Sequence, residues 1–150
     1  MGISAHSFSP DLVRAGVVAE DFRDAILAAG DLLVAGGIAE PEYSQAMVRV
    51  VEDLGPYIVM IEGVALAHAA PTDGVLRNGL SVVQLAAPVD FGGGKLVRMV
   101  FALAATDHDS HIENLGALSE ALGDAETLNS LMTLTSSVQI HALLTATRGE

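Results

Sequence analysis

Along the first part of the chain, apolar residues recur with the period of helices. From about Asp21 to Ala35, residues Phe22, Ile26, Ala29 and Leu33 share one helical face, and Gly36-Gly37 stops the pattern. Pro41 stands where a helix begins, Met47, Val50, Val51 and Leu54 form its stripe, and Gly55-Pro56 ends it. The period then shortens. Tyr57-Ile58-Val59-Met60-Ile61 is a continuous β-rich run, Gly63 permits a turn, and Val64 to Ala67 reads as another short strand. Leu80 to Ala86 and Lys95 to Ala104 are two more, the second apolar enough to predict a central strand covered on both faces. From Ser110 the helical period returns. Ile112, Leu115, Leu118 and Leu122 make one stripe, Leu128, Leu131 and Met132 a shorter one, and Val138, His141 and Leu144 the last. Met1 to Val18 shows no clean period and reads as a strand or extended lead-in near the surface. Helices at both ends with strands between them predict an α/β fold, a single three-layer domain over residues 1–150. Short connections between successive β segments predict a mixed sheet flanked by the helices.

Composition narrows what this domain can do. With 150 residues the chain can bury a proper core, and with 51% hydrophobic and 17% charged residues it is not a disordered chain. The apolar content comes from Ala, Val and Leu, with no Trp, which suits helices packed on a sheet. No Cys is present, so disulfides, thiol catalysis and thiolate metal sites are excluded. The N-terminus lacks a basic-then-apolar signal pattern, and no apolar run approaches the roughly 18 residues of a spanning helix. The expectation is a cytoplasmic protein without direct membrane insertion. Seven Lys and Arg against nineteen Asp and Glu give a formal charge of −12, which repels nucleic acid and anionic lipid. Such a surface suits a basic protein partner, or serves solubility alone.

Five histidines are the candidate chemistry: His6, His68, His108, His111 and His141. His6 lies in the unpatterned terminus and His141 within the last helix, where both read as structural. His68 sits in Val64-Ala65-Leu66-Ala67-His68-Ala69-Ala70-Pro71, with small neighbours at the end of a strand. That setting leaves the imidazole open to a bulky group, as in-line attack on a phosphoryl donor requires. A neutral imidazole, ordinarily titrating near pH 6.5, is a competent nucleophile. A histidine that merely ends a strand is the plainer reading, and spacing alone favours it. His108 and His111 lie in Thr106-Asp107-His108-Asp109-Ser110-His111-Ile112-Glu113. Ser110 with Glu113 makes a capping box, placing His111 in a helical first turn where N–H groups and partial positive charge favour a bound phosphate. Asp107, His108 and His111 form the alternative metal site, without a clear further ligand. Gly92-Gly93-Gly94-Lys95 is no nucleotide loop. Leu96 follows where Ser or Thr is needed, and the glycines precede a strand, so they read as a strand connection.

Four ordered blocks carry a resemblance: Gly55-Pro56-Tyr57-Ile58-Val59, Gly63 through Ala69, Asp73-Gly74-Val75 and Gly79-Leu80-Ser81. They resemble the surroundings of the phosphorylated histidine in IIA components of the bacterial sugar phosphotransferase system, mannitol/fructose type, and most of all the ascorbate-type IIA proteins. Leu103-Ala104-Ala105-Thr106-Asp107, then Ser110-His111-Ile112 to Leu118, resembles the family's second histidine segment. The resemblance runs across nearly the whole chain. It implies a phosphotransferase component with an α/β sandwich and a mixed sheet. Phosphorylated HPr would charge His68, and His68 would pass the phosphoryl group to a cysteine of the cognate IIB component. The membrane IIC component then couples this to sugar uptake. His111 would stabilise the phosphoryl group, and no cofactor or metal is implied. Two positions depart from the family. Many members have Pro before the active histidine and Arg two residues after it, where this chain has Ala67 and Ala70. Arg77 or the helix start at Ser110 would then supply the positive charge. A regulatory IIA-like module, read out by its phosphorylation state, and a metalloenzyme using His68, His108 and His111 are the alternatives.

Overall fold

A computed structural model describes residues 8–56, 58–59, 61–107, 116 and 118–145. A 3-10 turn, Pro10–Leu12, leads into strand β1, Val13–Val17. Helix α1, Phe22–Ala35, follows, with the Asp21 carboxylate accepting the Asp24 N–H at 3.0 Å and Gly36 closing the C-terminus. Helix α2, Pro41–Leu54, starts with Pro at its first position and ends at Gly55. Strands β2 (Gly63–Ala67), β3 (Gly79–Asp90) and β4 (Leu96–Ala104) come next, and helices α3 (Ala125–Thr133) and α4 (Ser137–Thr145) complete the chain. Residues 118–122 are helical as well.

The four strands form one mixed sheet in the order β1-β3-β4-β2. β1 runs parallel to β3, β2 parallel to β4, and β3 antiparallel to β4. Helices cover both faces. Ser81 Oγ donates to the Ala29 carbonyl of α1, whereas Gln84 Nε2, three positions on and so on the opposite face, donates to Leu131 and Leu134 at the end of α3. Val82, Val83, Val100, Phe101 and Leu103 are accordingly buried whichever way they point, which gives the three layers and the central β4 that its apolar run predicts. The glycine run joins β3 to β4 as a hairpin. Lys95 N–H donates to the Gly92 carbonyl, and Gly92, Gly93 and Gly94 hold φ of 125°, 63° and 82°, a backbone open to glycine.

Several expectations are corrected in detail. Ile58, Val59 and Ile61 form a turn in place of a strand: Val59 N–H donates to the Pro56 carbonyl, and Ile61 makes only an isolated bridge to Val64. Their hydrophobicity reflects burial of Ile58 at 1% exposure, and burial alone does not distinguish a strand from a buried turn. Tyr57 and Met60 of that run lie outside the described residues. Leu54 is 68% exposed and Val138 is 67% exposed; the buried face of α2 keeps Met47 and Val51 and adds Tyr43 and Ala46, and that of α4 keeps Leu144 and adds Ile140. Of the two readings of the N-terminal segment the strand is the one found, as the parallel edge strand β1, but it does not stay at the surface: Val13 at its start, Leu12 before it and Phe8 are buried. Among the described residues, no helix is long and apolar enough to cross a membrane.

Candidate functional site

Because β2 and β4 run parallel in register, with Ala67 beside Ala102, they end at the same edge of the sheet, and antiparallel β3 begins there with Gly79 opposite Ala104. His68 is the first residue past β2, at the carboxyl ends of two neighbouring strands, where α/β sheets place their ligand sites. Its side chain is half-buried. Nδ1 lies 3.0 Å from the carbonyl oxygen of Leu66. A carbonyl only accepts, so Nδ1 is the donor in this bond.

The chain beyond His68 is fixed by side chains. Ala69 N–H donates to the hydroxyl of Tyr43 at 3.1 Å, and that hydroxyl donates to the Leu103 carbonyl at 2.5 Å. Ala70 N–H donates to Asp73 at 3.0 Å, closing the 3-10 turn Pro71–Asp73. Glu40 N–H, just ahead of α2, donates to the Gly74 carbonyl at 2.8 Å. The small residues around His68 thus surround a main chain whose first two amides are already engaged. Burial pushes the Tyr43 phenol up to about 12, so it stays a protonated donor at neutral pH. Sequence patterning did not single out Tyr43, because its ring reads as one more apolar position of α2.

On the neighbouring strand end, Thr106 N–H and Oγ1 both reach Asn78 Oδ1, at 2.8 and 3.2 Å, and tie the exit of β4 to the start of β3. His6, His108, His111 and the Ser110–Glu113 capping box lie outside the described residues. Arg77 donates to the Gly36 carbonyl at 2.8 Å, which commits its guanidinium to the end of α1. His141 Nε2 meets the Phe8 carbonyl at 2.7 Å, and its ring packs 5.0 Å from that of Phe8, a structural role. Among the described residues, no group of three or more His, Cys, Asp or Glu is placed to hold a metal ion. A cleft of about 410 Å³ between Val59, Glu62, Gly63, Gly94, Lys95 and Leu96 lies at the other end of β2, away from His68.

Comparison with known proteins fits this geometry. Residues 6–147 match the family described as "Phosphoenolpyruvate-dependent sugar phosphotransferase system, EIIA 2". The chain is 37% identical over 103 residues to the ascorbate-specific PTS system EIIA component of Escherichia coli (strain K12), covering 67% of each protein. The solution structure of the mannitol-specific cryptic phosphotransferase enzyme IIA CmtB from Escherichia coli is 31% identical, with a TM-score of 0.84 over 93% of this chain and 96% of that one. Enzyme IIA of mannitol from the same organism, in complex with phosphorylated enzyme IIB, is 31% identical, with a TM-score of 0.80 over 91% and 97%. The mixed four-stranded sheet flanked by helices is the fold of these proteins, and the chain belongs to the EIIA 2 family of the phosphoenolpyruvate-dependent sugar phosphotransferase system, whose IIA components are phosphotransfer proteins.

Proposed function

We propose that residues 1–150 form one IIA domain that works in the cytoplasm, takes a phosphoryl group from phosphorylated HPr on Nε2 of His68, and delivers it to a cysteine of a IIB component. The observation that carries this reading is the Nδ1–H bond to Leu66, which presents the Nε2 lone pair at the carboxyl end of β2. In the first step that lone pair forms a bond to phosphorus while the phosphorus–nitrogen bond of the donor breaks, and the electron pair returns to the donor ring. Attack places positive charge on the His68 ring, and the Nδ1–H···O=C bond strengthens as it develops. In the second step the IIB thiolate attacks phosphorus and the bond to Nε2 breaks, restoring the neutral ring. The absence of Cys from this chain is consistent with a thiol supplied by the partner. The ascorbate-specific relatives support ascorbate, or a related sugar acid, as the transported substrate.

Incubation with phosphoenolpyruvate, enzyme I and HPr, followed by intact mass, tests the carrier. One phosphoryl group is expected on the wild type and none on a folded His68→Ala. An unchanged wild-type mass would remove the phosphocarrier reading, and a phosphorylated His68→Ala would move the site.

His111 completes the site as a stabiliser of the phosphoryl group. The described chain leaves β4 at Ala104, next to the end of β2 that carries His68, and is followed only as far as Asp107. A charge-assisted hydrogen bond to the phosphoryl oxygens contributes about 1.5–3 kcal/mol, so its loss slows transfer roughly ten- to a hundredfold. His111→Ala should still accept phosphate from HPr, slowly, and pass it on poorly in stopped-flow measurements. Wild-type rates in both directions would confine His111 to a structural role.

A further inference from the structure

We propose that Tyr43 is a positioning residue for His68: its hydroxyl replaces the strand ladder that stops at Ala67 and so fixes the direction in which the imidazole leaves the main chain. The proposal rests on His68 being the phosphoryl carrier. The ladder between β2 and β4 has its last pair at Ala67 and Ala102. Beyond it, Leu103 of β4 and Ala69 after β2 both bond the same phenol oxygen. One hydroxyl has one proton. The 2.5 Å contact assigns it to the Leu103 carbonyl, which leaves the oxygen's lone pairs for the Ala69 N–H at 3.1 Å; the Ala69 carbonyl, at 3.4 Å, is the outer neighbour.

His68 is therefore held on both sides, by the ladder at Ala67 and by Tyr43 at Ala69, and its ring is then stopped by the Leu66 carbonyl. Two fixed flanks set the Cα–Cβ direction, and the Nδ1 bond sets the ring about it. Tyr43 itself does not drift: it is 1% exposed, in the first turn of α2 behind Pro41. Its phenol is kept protonated by burial, so the bridge is intact wherever the histidine is reactive. A buried tyrosine that served packing alone would need only one satisfied hydrogen bond. Bridging two strand ends across the residue next to the nucleophile is a different geometry.

Tyr43→Phe keeps the ring and deletes the bridge. In the full chain, transfer from phosphorylated HPr to His68 and from His68 to IIB should both slow on the order of ten- to a hundredfold, since small displacements of a reacting group cost rates of that size. Long-range 1H–15N spectra of His68 should change from the single Nδ1–H form to a mixture of tautomers. A folded Tyr43→Phe with wild-type rates and an unmixed tautomer would overturn the proposal, even if its melting temperature fell. If the variant does not fold, amide exchange in the wild type decides. The Ala69 N–H should be protected to the level of the β4 amides, and exchange at the rate of an open loop would equally overturn it. The tautomer readout does not depend on phosphorylation, so a failure of His68 as carrier and a failure of Tyr43 as its clamp are told apart.

Discussion

Tyr43 and His68 show how unevenly single residues announce their roles. His68 could be proposed from the sequence because its neighbours are small, a strand ends beside it, and the surrounding blocks resemble a family. Tyr43 was not, since it stands 26 positions from Ala69 and its partners are main-chain atoms that no side-chain pattern records. The same burial that hid it makes it measurable. A phenol raised from 10 to about 12 is disfavoured as the anion in the folded state, and an unfolded chain releases that proton earlier. Its contribution is complete below pH about 10 and is lost as pH rises towards 12. Over that span the wild type should lose on the order of 2 kcal/mol more than Tyr43→Phe. Urea midpoints of the two proteins across this range check it: curves that stay parallel would mean that the buried phenol ionises as freely as an exposed one.

At the scale of elements, α1 and α2 were legible almost to their ends, because residues that start or stop a helix flank them: Asp21 and Gly36 bound α1, and Pro41 and Gly55 bound α2. The faces were less so. Leu54 continues the stripe of α2 in sequence, yet the helix ends there with that side chain in solvent, and the true contact with α1 depends on small residues instead. Gly30 of α1 lies against Ser44 of α2, where an added Cβ would come within 2.7 Å of the Ser44 Cβ. The nearest atom to that Cβ would be the Ser44 Oγ, and turning the hydroxyl aside still leaves the Ser44 Cβ and Cα in the way. Gly30→Ala should destabilise the protein by about 1–3 kcal/mol in chemical denaturation, despite the higher helix propensity of Ala. Ser44→Ala should behave oppositely. The Ser44 hydroxyl is buried with no hydrogen-bond partner among the described residues, so its removal is neutral or raises stability by up to about 1 kcal/mol. A loss on Ser44→Ala as large as that on Gly30→Ala would show that the hydroxyl is satisfied after all.

For the whole molecule, hydrophobic patterning was able to give the layers but not the order of strands, because β1 pairs with β3 and β2 with β4 across intervening segments. That order decides where a partner can act. It brings the ends of β2 and β4 and the start of β3 to one edge, with His68, Ala69, Ala70, Asn78 and Thr106 at or just past these strand ends, and it sends the Gly92–Gly94 hairpin to the other. If the proposed transfer to IIB holds, titration of the 15N-labelled chain with a IIB component should move the amide signals of Ala69, Ala70, Asn78 and Thr106, and leave Phe91 to Leu96 in place. The 410 Å³ cleft at the hairpin end offers the contrary outcome. On the proposed function it is the wrong place: the acceptor sulfur would have to come within bonding distance of a phosphoryl group on His68, and β2 separates the cleft from that residue by its full length. Perturbations gathered at Gly94, Lys95 and Leu96 with a silent His68 edge would mean that the partner docks where it cannot receive the phosphoryl group, and the assignment of the carrier would have to be withdrawn.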